Sequence, residues 1–385
     1  MKGPDSMPNL FDYLSWRGDL PLSAAPFNDV DSLILCALCY VRLDGLVPAP
    51  GEPGNVTVAR AAERLFAART EPLPDAGTRD FDQRNLLLLD ALSRTPRFMD
   101  LPLSGYVSRH DTAAEEQFAA LAVDLGGGEG YLAFRGTDSS LVGWKEDFNM
   151  AFLPFIPSQR SAAEYLAQVG KGFRRLRLGG HSKGGNLAVY AATRCGRAMQ
   201  RRLLAVYNND GPGFHTDVLS CPEYLSVRNR VHTFVPQSSV VGMLLDHEES
   251  YTVVHSTQTG LLQHDPYSWQ VLGPGFVCLD TVTGGSKFFS LTMKRWVAAM
   301  EPTVRETFVD ALFDVLGATN AGTLEELSER WWESAGAVLA ALKDLDDETR
   351  RALTETFGLL VDAARQTMPE LLSKSPPLPR LGKRS

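Results

Sequence analysis

Strand-like and helix-like stretches alternate along the middle of the chain, and this order restricts the fold more than any other feature. The apolar runs "RRLRLGG" and "RLLAVYNND" have the length and composition of buried strands, and they flank the helical pattern "GGNLAVYAATRCGRAM". Two further strand-like runs, "RVHTFVP" and "SYTVVHS", follow. Such alternation is typical of a mainly parallel sheet covered by helices on both faces. The sequence therefore predicts an α/β fold.

The regions on either side are helical in pattern, which divides the chain into four parts. Residues 1–105 are expected to form an N-terminal helical segment packed on the core, and Asn28 is placed to cap one of its helices. Residues 106–287 form the α/β core, which opens with a hairpin at three consecutive glycines. Residues 288–372 form a helical appendage, and the Pro-rich, basic residues 373–385 are expected to be disordered.

Helical periodicity identifies the C-terminal appendage. Apolar residues recur at four-residue steps from Val304 to Leu312, and Thr323 and Glu326 fit a capping box. A further helix is expected to start near Asp347 and to end before Pro369.

Composition and charge are those of a soluble globular protein. Of the 385 residues, 44% are hydrophobic and 22% charged, and the formal net charge is -8. Basic residues cluster only at the extreme C-terminus, so nucleic acid is not an expected partner. The start of the chain has no apolar segment of signal-peptide length, and the longest apolar run, Leu33 to Val41, is too short to span a bilayer. These features predict a cytoplasmic protein without a transmembrane segment and leave its oligomeric state open.

The five cysteines do not predict a disulfide framework or a metal site. Cys36 and Cys39 form a C-x-x-C pattern, but they lie in the apolar run "SLILCALCYV", and no second pair completes a zinc site. They are expected to be small apolar residues on a buried helix face. No cofactor and no metal are predicted.

The pentapeptide "GHSKG", Gly180 to Gly184, lies between the strand-like "RLRL" and the helical "NLAVYAAT". In a G-x-S-x-G turn, the serine sits on a strained strand-to-helix connection at the positive end of the helix, and the glycines leave room for neighbouring backbone. Ser182 is therefore the candidate nucleophile. The alternative is a glycine-rich loop that binds a phosphate or nothing, although the stretch lacks the complete phosphate-loop and dinucleotide patterns.

A nucleophilic serine needs donors for the oxyanion that its attack creates. The backbone N–H of the next residue, Lys183, would be the first donor, a role that does not require the lysine side chain. The second donor is expected from a loop after an earlier strand. Gly136 and Thr137 follow the strand-like "YLAF", and the Thr137 N–H is the candidate.

Several motifs together resemble known families. "AFRGTDSSLVGWKEDF" followed by "GGHSKGGNLA" resembles the fungal-type (class 3) triacylglycerol lipases, in which F-R-G-[ST] supplies an oxyanion donor and G-H-S-L-G-G carries the nucleophile. The chain is still more similar to a bacterial family of lipase-like α/β-hydrolases called Mbeg-like, through "FDYLSWRGDL", "FNDVDSLIL", "NDGPGF", "VPQSSVVGMLL" and "QHDPYSWQV". The resemblance covers roughly residues 9–315. It implies an α/β-hydrolase fold but brings no known substrate.

In α/β-hydrolases, the nucleophile, the acid and the histidine follow one another in this chain order. Among the histidines after Ser182, His232 and His255 lie in apolar strand-like runs, where a structural role is favoured. His215 lies too close to "GPGF" to leave room for an acid on a separate strand. His264, in the loop "LLQHDPYSW", is the candidate general base, and the alternative is that it binds a neighbouring carbonyl group.

The acid departs from the class 3 lipase pattern. Where those lipases have an aspartate after the corresponding strand, this chain reads "FVPQSSV", with no carboxylate. Asp210, at the end of the preceding strand, is the candidate, and its alternative role is to bond the "GPG" backbone in a turn. Asp246 is the runner-up, and Asp265 is too close in sequence to His264 to orient its ring easily.

These residues predict a serine hydrolase that cleaves a small-molecule acyl ester, lipid-like or of medium chain length, with Ser182 attacking the carbonyl and His264 taking the proton. The aromatic segment 141–160 indicates either a lid or acyl-chain wall near the site, or a loop packed on the core. The rival hypothesis is a non-catalytic α/β-hydrolase that binds a ligand or partner. It is motivated by the missing carboxylate after "FVPQSS" and by the basic tail.

Overall fold

The structure, a computed structural model, describes residues 7–137, 145–147, 149–150, 153, 155–301, 308, 311 and 347–374. Its helices are α1 (Leu10–Arg17), α2 (Asp29–Leu38), α3 (Val58–Ala68), α4 (Phe81–Leu92), α5 (Pro157–Val169), α6 (Lys183–Arg194), α7 (Gly196–Gln200), α8 (Thr216–Leu219), α9 (Pro222–Val227), α10 (Gly284–Ala299) and α11 (Asp347–Lys374). Its strands are β1 (Val56–Thr57), β2 (Pro102–Asp111), β3 (Glu116–Gly126), β4 (Glu129–Phe134), β5 (Arg175–His181), β6 (Leu203–Asn209), β7 (Val231–Pro236), β8 (Tyr251–Val254), β9 (Val271–Leu272), β10 (Gly275–Phe276) and β11 (Cys278–Leu279).

The architecture is a mixed α/β fold with a large central sheet flanked by helices. Within the described residues, nine strands form the sheet in the order β1-β2-β3-β4-β5-β6-β7-β8-β11. Strands β4 to β8 are parallel, whereas β1 to β4 pair antiparallel with their neighbours and β11 pairs antiparallel with β8. The expectation of a mainly parallel sheet therefore needs correction. Two-residue edge strands and a three-stranded meander add as many antiparallel pairs as there are parallel ones.

Each face of the sheet has its own hydrophobic core because successive side chains of a strand point to opposite faces. On β3, Leu121 and Val123 join the core beneath α2, while Ala120 and Ala122 join the core beneath α5 and α6. The N-terminal helices thus cover one face of the sheet and the helices of the crossover connections cover the other.

Helix α2 is buried over its whole length, from Val30 to Leu38. Asn28 caps it as predicted, since its side chain accepts hydrogen bonds from the N–H groups of Val30 and Asp31. Cys36 and Cys39 are fully buried in the core between α2 and the sheet. The helix is therefore held on all sides, and its C-terminal end carries Tyr40 to the edge of the sheet where β5 ends.

The predicted hairpin is confirmed, with β3 and β4 joined at Gly126 opposite Glu129. The predicted division of the chain stays a prediction, although residue 105 lies inside β2 and residue 288 inside α10. The helix α11 runs through Pro369 to Lys374, so the expected end before Pro369 is wrong. A proline removes one intrahelical hydrogen bond and weakens a helix without always ending it.

Helices α10 and α11 pack on each other around Trp296, whose indole N–H donates to the Thr356 carbonyl at 2.8 Å. The predicted capping box of Thr323 and Glu326 and the tail residues 375–385 lie outside the described residues. No helix in the described part of the chain is both long and apolar enough to cross a membrane.

Candidate active site

Ser182 lies between β5 and α6 in a backbone conformation that few residues other than glycine adopt, with φ 59° and ψ -138°. The neighbouring chain holds this conformation. The Ser182 N–H donates to the Asn209 carbonyl at 2.9 Å, and the Ser182 carbonyl accepts from the Gly185 N–H at 2.8 Å. The side of the turn toward β6 and the first turn of α6 are thus both fixed by backbone hydrogen bonds.

The two outer glycines of "GHSKG" are required by close approach of backbone. A Cβ atom on Gly180 would lie 2.0 Å from the Gly184 carbonyl carbon, and a Cβ atom on Gly184 would lie 2.1 Å from the Phe134 carbonyl oxygen. Both distances are far below contact distance. The spacing of glycines around the serine is therefore explained by the crossing of β4, β5 and α6 at one point.

The end of β4 lies directly beside the serine turn. A Cβ atom on Gly136 would lie 2.6 Å from the His181 carbonyl oxygen and 2.8 Å from Ser182 Cβ. Thr137, the next residue, is half-buried, and its hydroxyl donates to Asp147 Oδ1 at 2.7 Å. The structure thus brings the predicted oxyanion segment to the predicted nucleophile.

The His264 ring is paired with Asp210. His264 Nδ1 lies 2.7 Å from Asp210 Oδ2, and because the carboxylate accepts, Nδ1 carries the proton. The neutral ring then has its free lone pair on Nε2. The Asp210 side chain is almost fully buried, whereas a quarter of the His264 side chain is exposed. An imidazole with a fixed tautomer and a buried negative charge behind it is suited to accept a proton at Nε2.

Two further groups hold the Asp210 carboxylate, and a backbone hydrogen bond holds its main chain. Asp210 Oδ1 accepts from the Ser239 hydroxyl and from the Gly242 N–H, the latter at 3.2 Å. A Cβ atom on Gly242 would lie 2.2 Å from this oxygen, so only glycine fits there. The Asp210 N–H donates to the Phe234 carbonyl at 2.7 Å while its φ is 54°. The segment 237–242 after β7, which has no carboxylate of its own, thus supplies two donors to the carboxylate that directly follows β6.

The other acids considered lie in other environments. The Asp246 side chain is about half exposed and pairs with Lys294 at 2.5 Å. Asp265 pairs with Arg84 at 2.7 Å and caps the short 3-10 helix Pro266–Ser268. Asp210 is the acid that the structure brings to His264.

A second histidine, His181, packs against His264. The two ring centroids are 4.6 Å apart, and His181 Nε2 donates to the His264 carbonyl at 2.7 Å. His181 Nδ1 then accepts from the Tyr40 hydroxyl at 3.2 Å. Burial, together with the charge of His264, holds the pKa of His181 well below its usual range. The imidazole next to His264 is therefore uncharged at neutral pH.

Lys183 begins α6, and its side chain is fully buried. Its ammonium group donates to Glu146 Oε2 at 2.5 Å and to the Gln117 carbonyl at 3.1 Å, and it lies 3.9 Å from Asp147 Oδ1. We call Lys183, Glu146 and Asp147 the charge cluster. Burial raises the pKa of Asp147 to about 6, against the opposing effects of the Lys183 charge and the Thr137 hydroxyl.

Ser182 Oγ and the His264 ring form no hydrogen bond in the part of the chain that the structure describes. Such contacts are often long in ligand-free enzymes and tighten with substrate. The two residues lie at the same edge of the sheet, because Ser182 follows His181 directly and the His181 ring packs against the His264 ring at an interplanar angle of 33°.

The remaining sequence candidates have structural contacts. His232 stacks on Tyr207 with ring centroids 5.3 Å apart, and His215 Nε2 bonds the Met150 carbonyl. In segment 141–160, the predicted wall residues Trp144, Phe148 and Phe152 lie outside the described residues. Phe155 is exposed and Ile156 buried. The two interpretations of this segment stay open.

Sequence reasoning missed four residues that support the site: Tyr40, His181, Ser239 and Gly242. "FNDVDSLIL" marked the helix that carries Tyr40, but a tyrosine after an apolar run is an ordinary core residue. Ser239 and Gly242 lie in "VPQSSVVGMLL", a segment without a carboxylate, and no sequence pattern marks a serine and a glycine as donors to a distant carboxylate.

Comparison with models of known protein families gives a match. A family model described as Mbeg1-like matches residues 92–314 of the chain. A search of the curated proteins found no match. The matched range includes Thr137, Ser182, Lys183, Asp210 and His264, and it leaves out α1 to α3 and all of α4 except its last residue, Leu92.

Proposed function

Since the chain belongs to the Mbeg1-like family, we propose that it is a lipase-like serine hydrolase of the α/β-hydrolase fold that cleaves carboxylic esters. The observation that carries the proposal is the hydrogen bond from His264 Nδ1 to the buried Asp210 carboxylate, at the sheet edge where Ser182 occupies a strained strand-to-helix turn. A nucleophile, an acid and a base in this chain order, Ser182, Asp210 and His264, fit acyl transfer.

In the proposed reaction, His264 Nε2 takes the Ser182 proton while Ser182 Oγ bonds to the ester carbonyl carbon. The Thr137 and Lys183 N–H groups donate to the oxyanion. When the carbonyl re-forms, the C–O bond to the alcohol breaks, and the alcohol leaves with the proton from His264. Water then loses a proton to His264 and attacks the acyl-enzyme, releasing the carboxylic acid and restoring Ser182.

The surroundings of His264 suit this role. The Asp210 carboxylate stabilises the imidazolium that forms at each proton transfer, because it is buried and already bonded to Nδ1. The lowered pKa of His181 supports the proposal as well. A neutral neighbouring ring does not repel the charge that His264 acquires.

We extend the proposal to a relationship with the class 3 lipases in which the acid has moved by one strand. Asp210 follows β6, and Ser239, in the loop after β7, donates to it where those lipases carry their aspartate. The missing carboxylate in "FVPQSSV" therefore no longer argues for the non-catalytic rival. The acyl substrate, lipid-like or of medium chain length, stays a prediction, as do a reaction without cofactor and a cytoplasmic location.

Active-site labelling tests the proposal directly. Purified protein is treated with a fluorophosphonate probe, and the modified peptide is identified by mass spectrometry. We expect the wild type to be labelled on Ser182, S182A to be unlabelled, and S220A, which changes an exposed serine, to be labelled like the wild type. An unlabelled wild type supports the non-catalytic binder instead.

Turnover of p-nitrophenyl esters from acetyl to decanoyl tests the reaction and the acyl preference. H264A should lose the activity, whereas H110A, at an exposed histidine, should keep it. Equal turnover by H264A and the wild type would exclude His264 as the base. A preference for acetyl over all longer chains would contradict the lipid-like substrate.

A further inference from the structure

The charge cluster places more charge beneath the serine turn than the proposed chemistry uses. Lys183 and Glu146 are fully buried and Asp147 is one-fifth exposed, so one ammonium group faces two carboxylates. Burying charges is costly unless they are paired and hydrogen-bonded. An apolar residue would provide the Lys183 N–H equally well, so the backbone role does not explain the lysine side chain.

The partners of the cluster lie on the elements that surround the site. The Lys183 ammonium group binds the Gln117 carbonyl on β3 and Glu146, while Glu146 accepts from the Gln117 N–H and from the N–H and hydroxyl of Ser158 in α5. Both Glu146 oxygens are therefore occupied. Lys183 joins the first turn of α6 to β3, to α5 and to the segment that carries Asp147.

Asp147 connects the cluster to the oxyanion segment. It accepts the Thr137 hydroxyl at 2.7 Å through the same oxygen that lies 3.9 Å from the Lys183 ammonium group. Gly136, the residue before Thr137, is in close contact with Ser182 Cβ. Lys183, on one side of Ser182, is thus linked through the Asp147 carboxylate to Thr137, on the other side.

We propose that Lys183 acts through its side chain as a positioning residue, holding Thr137 beside Ser182 by way of Asp147. This inference rests on the function proposed above. Without the ammonium charge, Glu146 repels its neighbour Asp147, and Asp147 loses the attraction that keeps it under Thr137. The pKa of Asp147, which the Lys183 charge lowers, agrees with this coupling.

The test replaces the pair and measures the oxyanion function separately from substrate binding. In K183M/E146Q both buried charges are removed together, so that neither is left unpaired. We expect kcat for a p-nitrophenyl ester to fall about tenfold or more, a part of the effect of losing an oxyanion donor, with KM within about twofold of wild type. The control R160M/E164Q removes an exposed pair on α5 and should keep wild-type kcat.

A second set of variants distinguishes positioning by Lys183 from a merely structural role, because positioning predicts that the effects of the substitutions on kcat are not additive. T137A removes the hydroxyl that Asp147 holds, and T137S keeps it, so T137A should lower kcat and T137S should restore it to within about twofold of wild type. Because both changes break one chain of contacts, adding T137A to K183M/E146Q should lower kcat little further. Losses that multiply, or a folded K183M/E146Q with wild-type kcat, would overturn the proposal.

D147N provides the second test if K183M/E146Q does not fold. It keeps the Lys183–Glu146 pair and removes the negative charge that Lys183 attracts, so its kcat should fall, by no more than that of T137A because the amide oxygen of the variant can still accept the Thr137 hydroxyl. A D147N protein with wild-type kcat would equally overturn the proposal. If the wild type itself neither hydrolyses esters nor takes up the fluorophosphonate, the proposed function fails first, and the two failures are distinguishable.

Discussion

At Ser182 the backbone has φ 59° and ψ -138°, a conformation that costs a residue with a side chain about 1–3 kcal/mol. The turn is maintained by its backbone bonds to Asn209 and Gly185 and by the contacts of its glycines. The position therefore stores strain at the place where the proposed reaction needs an exposed hydroxyl group.

Two substitutions separate the hydroxyl from the strain. S182A and S182G should both lose labelling by a fluorophosphonate, but S182G should be more stable than S182A by about 1 kcal/mol, because glycine adopts this conformation without steric cost. Urea unfolding of the two variants measures the difference. An S182G protein no more stable than S182A would show that the turn is not strained.

The choice between the two candidate acids is also decided at single residues. D210N leaves His264 without the carboxylate that fixes its tautomer, so kcat should fall about a thousandfold or more. D246N removes a half-exposed partner of Lys294 and should keep kcat within about twofold. Ester turnover by the two variants provides the test, and a reversed order of losses would make Asp246 the acid.

At the scale of elements, the contact between β4, β5 and α6 is the feature that makes the serine turn possible. Gly184 lies against the Phe134 carbonyl, and Gly180 lies against Gly184. Side chains at either position would separate the strand from the helix. The glycine pattern is thus a packing requirement as well as a mark of a nucleophile.

G184A should destabilise the protein by about 3 kcal/mol, since its methyl group would meet backbone atoms that cannot rotate away. The matched control is G77A, at an exposed glycine with nothing within 4 Å of the added atom, and its stability should change by less than about 1 kcal/mol. Urea unfolding compares the two. Equal free energies of unfolding for the two variants would mean that α6 can move away from β4 and β5 without loss of stability.

The long elements and the order of the candidate residues could be predicted from the sequence, because each depends on local pattern. The strands β5 and β6, the hairpin at Gly126 and the cap at Asn28 all agree with expectation. The antiparallel edge strands could not be predicted, because β1 and β11 have two residues each and pair with strands that are distant in the sequence. The roles of Ser239 and Tyr40 arise only from contacts between elements, which a single sequence does not encode locally.

At the scale of the whole molecule, the N-terminal layer is continuous with the candidate site. Its helix α2 packs on the face of the sheet that includes Tyr131 and Tyr207, and Tyr40, just after this helix, binds His181. The buried pair of Arg97 and Asp31 fastens the same layer. Helix α2 and Tyr40 lie outside the range of the family match, yet Tyr40 bonds the His181 ring that packs against His264.

The burial of His181 makes the stability of the molecule depend on pH. Its pKa is lowered on folding, so below about pH 6.5 the unfolded chain binds more protons and the folded state loses stability as the pH falls. The loss should reach at most about 1.4 kcal/mol per pH unit. Unfolding by urea between pH 7 and pH 5 should show a steeper decline for the wild type than for H181Q.

Asp147 acts in the opposite direction, because its pKa is raised to about 6 and its protonation on folding favours the folded state between about pH 6 and pH 4. Asp147 is present in both the wild type and H181Q, so its contribution to the free energy of unfolding cancels when the two pH profiles are compared. Parallel pH profiles for the two proteins would mean that His181 is not held neutral by the fold.

The order of the contacting residues along the chain also limits the order in which the contacts can form during synthesis. The contacts described for the serine turn come from β4, β5, α6 and the end of β6, so all of these partners have been synthesised once Asn209 has been added. His264 follows 55 residues later, and with it the ring that pairs with Asp210. All partners of the serine turn are therefore synthesised before His264, and the His264–Asp210 pair that the proposed reaction requires can form only after β8 has been synthesised.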